Sequence, residues 1–212
     1  MKIKLFLLSI CLTNLTYSQT GKYGVAIRLS GFECSFSDTL EKYAAPAFKI
    51  MNEIFNSDQF RDSIKKITFA ATNKWKNKTA IPGTEVLAEL DKHKNDEWKL
   101  IMKEKSGALG ETVPGDDKTK AYLENILYDM CRADDPCKFP FEYALAVNLC
   151  HEFMHHIGYV HHKNPKDTTP IPSNPYNCKD VFYDPSVYPK DIAYRTGWIV
   201  YDIFVVRFAT KK

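Results

Sequence analysis

Residues 151–161 read His151-Glu152-Phe153-Met154-His155-His156-Ile157-Gly158-Tyr159-Val160-His161, the pattern H-E-x-x-H-x-x-G-x-x-H. No other stretch specifies a chemistry. His151 and His155 are four apart, so on a helix both imidazoles share one face, about one turn apart. Glu152 lies beside them without being obliged to ligate what they bind. Gly158 lets the chain leave the helix in a left-handed conformation that strains other residues. The turn then brings His161 round as a third ligand. Three protein ligands leave one position of tetrahedral zinc for water, the mark of a catalytic rather than a structural site. Zinc draws the pKa of that water towards about 7, where a carboxylate can take its proton.

At average residue usage, H-E-x-x-H occurs by chance in roughly one chain in two hundred of this length. Fixing the glycine and third histidine lowers that to roughly one in 10⁵. Five of the six histidines fall between positions 151 and 162, which softens the estimate. His162 is the alternative third ligand if the turn is unusual. His156 is out of phase, about 140° from His151 on an ideal helix, and reads as a surface or supporting residue. His93 sits in a charged helix end and reads as solvated.

Working outward, Pro140 opens a helix running to about Ile157. Upstream, Tyr23–Leu29 reads as a first strand. Asp38 and Glu41 have capping-box spacing before an amphipathic helix through Ala44, Ala47, Phe48, Met51, Ile54 and Phe55. A short helix through Phe60 and Ile64, a strand over Ile67–Ala70, a helix over Glu85–Lys92 and a strand over Trp98–Met102 follow. Ser106–Lys118, rich in glycine and aspartate, reads as loop, and Tyr122–Tyr128 is open between strand and helix. Residues 163–190 hold six prolines and read as irregular. Asp191–Ala209 reads as a C-terminal helix; Arg195, Asp202 and Arg207 argue against a membrane span. The expected class is α+β, in one domain over residues 19–212.

Residues 1–18 combine Lys2 and Lys4, an apolar run over Leu5–Leu12 and small residues before Gln19. That is the pattern of a signal peptide, so a secreted, periplasmic or extracellular protein is expected. Its removal leaves 27 basic against 26 acidic side chains, a net charge of +1. Nothing in that balance points to nucleic acid or stable membrane insertion. Five cysteines remain, and an oxidising compartment makes disulfides expected. Spacing does not fix connectivity. Cys131–Cys137 and Cys150–Cys178 are the plausible pairs, with Cys34 left over.

The eleven-residue signature resembles the zinc-binding motif of the metzincin clan of metallopeptidases. The resemblance implies His151, His155 and His161 as zinc ligands, Glu152 as general base, and a peptide or protein substrate. It also implies an upper lobe of twisted mixed sheet with helices, about residues 19–158. A small irregular lower lobe ending in a helix would follow, about 159–212. The clan carries a methionine turn beneath the metal, but no methionine follows Met154. Ser186-Val187-Tyr188 and Ala193–Gly197 are candidates for that turn. A further likeness to bacterial metzincin-like proteins points to Tyr194, as a turn residue, ligand or oxyanion stabiliser. An edge strand at Trp98–Met102 or near 107–113 would pair with extended substrate. The expectation is a secreted zinc endopeptidase. The rival is a secreted zinc-binding or adhesion module without turnover, against which the intact Glu152 counts.

Overall fold

The structure, a computed structural model, describes residues 21–70, 72–73, 80–104, 110–130, 140–161 and 190–209. Residues 1–18, Cys131, Cys137, Cys178, His162 and the proline-rich 163–189 lie outside the described residues, so the expectations placed on them are not addressed.

The architecture is α+β, with a mixed four-stranded sheet backed by helices. Strand β1 (Arg28–Cys34) pairs in parallel with β5 (Glu97–Lys103), and β5 pairs in parallel with β7 (Lys118–Tyr122). The short β6 (Gly110–Glu111) runs antiparallel to β7 and forms the edge. Along β5, Trp98, Leu100 and Met102 are fully buried while their alternate neighbours are not. That period of two fits a sheet with one face on the core. β5 is therefore interior to the sheet, which removes Trp98–Met102 as a substrate-pairing edge and leaves the 107–113 segment.

The first strand starts later than the sequence suggests. Tyr23–Ile27 is matched to side chains instead of a neighbouring strand. The Asn52 amide bonds both N and O of Ile27, and Asn56 bonds the N and O of Val25. Asn52 projects from α1 (Glu41–Phe55) and Asn56 caps its C-terminus, and their amides mimic a strand edge. The capping box is not formed. Asp38–Leu40 makes a single 3₁₀ turn before α1, and the Ser37 hydroxyl bonds Thr39 instead.

Helix α2 (Asp58–Lys65), capped by Ser57, and α3 (Gly83–Lys92) match their expected positions. Between them lie three pieces: β2 (Thr68–Phe69), β3 (Thr72–Asn73) and β4 (Ile81–Pro82). The ambiguous stretch resolves as the end of β7 followed by α4 (Leu123–Met130). The expected loop over 106–118 contains β6; glycine and aspartate there build a tight antiparallel return.

Helix α5 (Phe141–His156) is buried from Ala144 to His156, on all sides. A helix apolar around its whole circumference belongs at the centre of a core. Phe153 is gripped between Phe55 of α1 and Trp98 of β5, at ring distances of 5.8 and 5.4 Å. Emptying such a position costs about 3–5 kcal/mol, so α5 has little freedom to shift. Helix α6 (Ile192–Ala209) closes the other side, with Ile192, Val200 and Phe204 in the same core. Among the described residues no helix is long and apolar enough to cross a membrane.

Cys150, expected to pair with Cys178, is a free thiol completely buried on α5. It packs as a small apolar side chain, and burial pushes its pKa well up. Cys34 is also free, as expected.

Candidate functional site

The last two turns of α5 carry His151, Glu152 and His155. The helix then ends at Gly158, whose φ of 101° is open to glycine and strained for other residues. The chain returns as β8 (Tyr159–Val160), pinned antiparallel to β3 through Thr72–Val160 and Asn73–Tyr159. This short ladder delivers His161. Ligating nitrogens of His151, His155 and His161 all fall within 4.8 Å of one another.

Hydrogen bonding fixes where the imidazole protons sit. Nδ1 of His155 lies 2.7 Å from the Tyr159 carbonyl oxygen, which can only accept. His155 therefore donates from Nδ1. Burial and the neighbouring His161 push its pKa down to about 4, so at neutral pH its Nε2 is a bare lone pair. Nδ1 of His161 lies 3.1 Å from Oδ2 of the buried Asp191 and donates to that carboxylate. The two Nε2 atoms then face each other at 3.2 Å. Tetrahedral zinc holds neighbouring nitrogens about 3.3 Å apart. Burial, reinforced by the other two imidazoles, drives His151 well below its ordinary pKa, against a bond to the backbone of Ala193. Neutral imidazoles whose outer nitrogens are fixed by acceptors are the usual dress of metal ligands.

Glu152 is buried beside this cluster, with Oε1 4.0 Å from Nε2 of His151. Its Oε2 is buried with no hydrogen-bond partner among the described residues. Burial raises its pKa to about 8, against a lowering hydrogen bond with Thr112. A buried carboxyl with one unpartnered oxygen beside three clustered imidazoles fits a site that takes a cation. Gly110 on β6 presses against it: a Cβ there would sit 2.4 Å from Oε1 of Glu152. Sequence reading treats Gly110 as one of several loop glycines; only the fold reveals that contact.

Tyr194 does come to the site, but not from a turn. Residues 192–209 are helical, so Ala193–Gly197 does not form the expected tight turn. Tyr194 projects from the first turn of α6. Its ring stacks on His161 at 4.3 Å and 20°, and meets His151 edge-on at 5.1 Å. Asp191 is the site residue that sequence reading missed. It stands just before α6, where Oδ1 accepts from the Tyr194 backbone N–H at 3.1 Å and Oδ2 from His161. Its signal was an acidic residue opening the last apolar run, a helix-cap position.

His156 is not a surface residue. It is buried on the far side of α5, its ring against Trp98 and Phe153 and its nitrogens beside Asp116 and Asp96. His93, expected to be solvated, bonds Asp96 as well. No protein-family model, curated protein or solved structure matches the chain.

Proposed function

We propose that the protein is a secreted, zinc-dependent endopeptidase of metzincin-like type. The observation that carries this is the convergence of ligating nitrogens of His151, His155 and His161 within 4.8 Å of one another, with the Nε2 atoms of His155 and His161 3.2 Å apart. His151, His155 and His161 would hold zinc, which when bound acidifies a water and polarises a carbonyl.

The remaining work falls to the chain. Glu152 takes a proton from the attacking water and later returns it to the leaving amine. Its high metal-free pKa suits that exchange: a neighbouring cation favours the charged form and returns the carboxyl towards the range of a working base. Tyr194, held against His151 and His161, would give its hydroxyl to the oxyanion. Strand β6, at the sheet edge beside Glu152, would align an extended peptide by backbone pairing.

The test is metal analysis together with cleavage of a broad peptide library by wild type and Glu152→Ala. The proposal expects zinc in both proteins and chelator-sensitive cleavage by wild type alone. Zinc in both with no cleavage by either would instead identify a zinc-binding module without turnover.

A further inference from the structure

A second group of ligating side chains meets on the opposite side of α5. His156 follows the ligand His155 in sequence but faces the α3–β5 turn. Its Nδ1 lies 2.6 Å from the Asp116 carbonyl oxygen, so it donates there. Its Nε2 lies 2.7 Å from Oδ2 of Asp96, at hydrogen-bond distance. That same oxygen lies 2.8 Å from Nδ1 of His93. The outer Nε2 of His93 faces Oε1 of Glu89 at 3.8 Å.

The pattern repeats the one at the first site. The inner nitrogens of both rings converge on Oδ2 of Asp96, and the outer nitrogen of His156 has a carbonyl acceptor. The three inner atoms lie within 4.8 Å of one another. Two nitrogens and one carboxylate oxygen form a donor set suited to zinc and similar borderline divalent ions. The His156 side chain is 8% exposed, whereas those of Asp96 and His93 are 30% and 34% exposed. One side is therefore anchored in the core and the other is open to an entering ion and a water.

We propose that His93, Asp96 and His156 form a second divalent-cation site of zinc type, separate from His151–His155–His161. The present N–O spacings of 2.7 and 2.8 Å are hydrogen-bond lengths. Ligands on tetrahedral zinc stand about 3.3 Å apart, so loading spreads the cluster by roughly half an ångström. His93, at the C-cap of α3 and partly exposed, has the freedom to supply that movement. The role assigned is a brace. The ion would tie the α3–β5 turn, through His93 and Asp96, to the helix that carries the first site.

The experiment is zinc titration of chelator-stripped protein, counting bound equivalents in wild type, His93→Ala, Asp96→Asn and His161→Ala. Wild type should bind two equivalents and each single variant one; the His93→Ala/His161→Ala double variant should bind none. A wild type that saturates at one equivalent, with the same count in His93→Ala, overturns the proposal and leaves a hydrogen-bonded His–Asp–His cluster. Two equivalents retained by both His93→Ala and Asp96→Asn also overturn it. Because His161→Ala reports the first site separately, failure there leaves the second site standing on its own variants.

Discussion

In excess chelator the folded chain should lose stability above pH 6.5, and Glu152 should be the cause. Burial raises the Glu152 carboxyl to about 8 in the folded chain, from an ordinary value of 4.5. Between those values the folded chain holds a proton that the unfolded chain has released, so stability falls as pH rises. His155 acts in the opposite sense. Its folded value of about 4 lies below the ordinary value of 6.5, so stability rises with pH across that interval. His151, also depressed, adds to the rise. Below pH 6.5 the histidines offset or outweigh Glu152; above it the glutamate acts alone. The remaining interval of about 1.5 pH units, at about 1.36 kcal/mol each, gives roughly 2 kcal/mol. For a chain of this size that is a fall in Tm of about 4–8 °C. The assay is thermal unfolding followed by circular dichroism at pH 6.5 and 8.5, in excess chelator, on wild type and Glu152→Gln. Glutamine keeps the shape and removes the titration, so Glu152→Gln should lack this component of the fall. Saturating zinc should remove the same component in wild type by holding the carboxylate ionised. An equal fall in wild type and Glu152→Gln would refute the reasoning.

Three further outcomes follow from the geometry. Asp191→Asn keeps a residue able to cap α6 but loses the charged acceptor of His161. Zinc affinity at the first site should drop about 10- to 100-fold with nearly unchanged stability, measured by chelator competition beside urea unfolding. Gly110→Ala puts a methyl group against Oε1 of Glu152. Peptide cleavage should fall on the order of 100-fold with first-site zinc retained, because a displaced base is a misaligned one. Tyr194→Phe preserves the ring stacked on His161. If the hydroxyl serves the oxyanion, kcat should fall about 10²- to 10³-fold with zinc content and KM little changed, and an unaltered kcat would remove Tyr194 from the mechanism.

The parts legible in the sequence are those whose determinants are local. The phase of His151 and His155, the glycine at 158 and the apolar run after Asp191 each carry their structure within a few residues. Elements that depend on a distant partner were misread. Tyr23–Ile27 has strand composition, yet its backbone is met by Asn52 and Asn56, and nothing near Tyr23 announces that. The Gly110–Glu111 strand looks like loop because its pairing with β7, not its own propensity, makes it a strand. Asp191 and His161 are thirty positions apart. No spacing rule connects them, so the acid that orients the third ligand appears only in three dimensions. His156 was misjudged for a related reason: helical phase said where it pointed, but not that Trp98, Phe153 and Asp96 were waiting there.

The three clustered histidines do not share one mechanical fate. His151 and His155 ride on a helix buried on every side, whereas His161 hangs from the two-residue β8–β3 ladder and from Asp191 at the start of α6. Fraying of that ladder, or brief undocking of the first turn of α6, would unhook one imidazole while the other two stay in place. The residence time of a bound ion would then be governed by local opening at 159–161 and 191–194, not by global unfolding. Amide exchange at Val160 and Tyr194 would keep time with metal dissociation, while the centre of α5 remained protected.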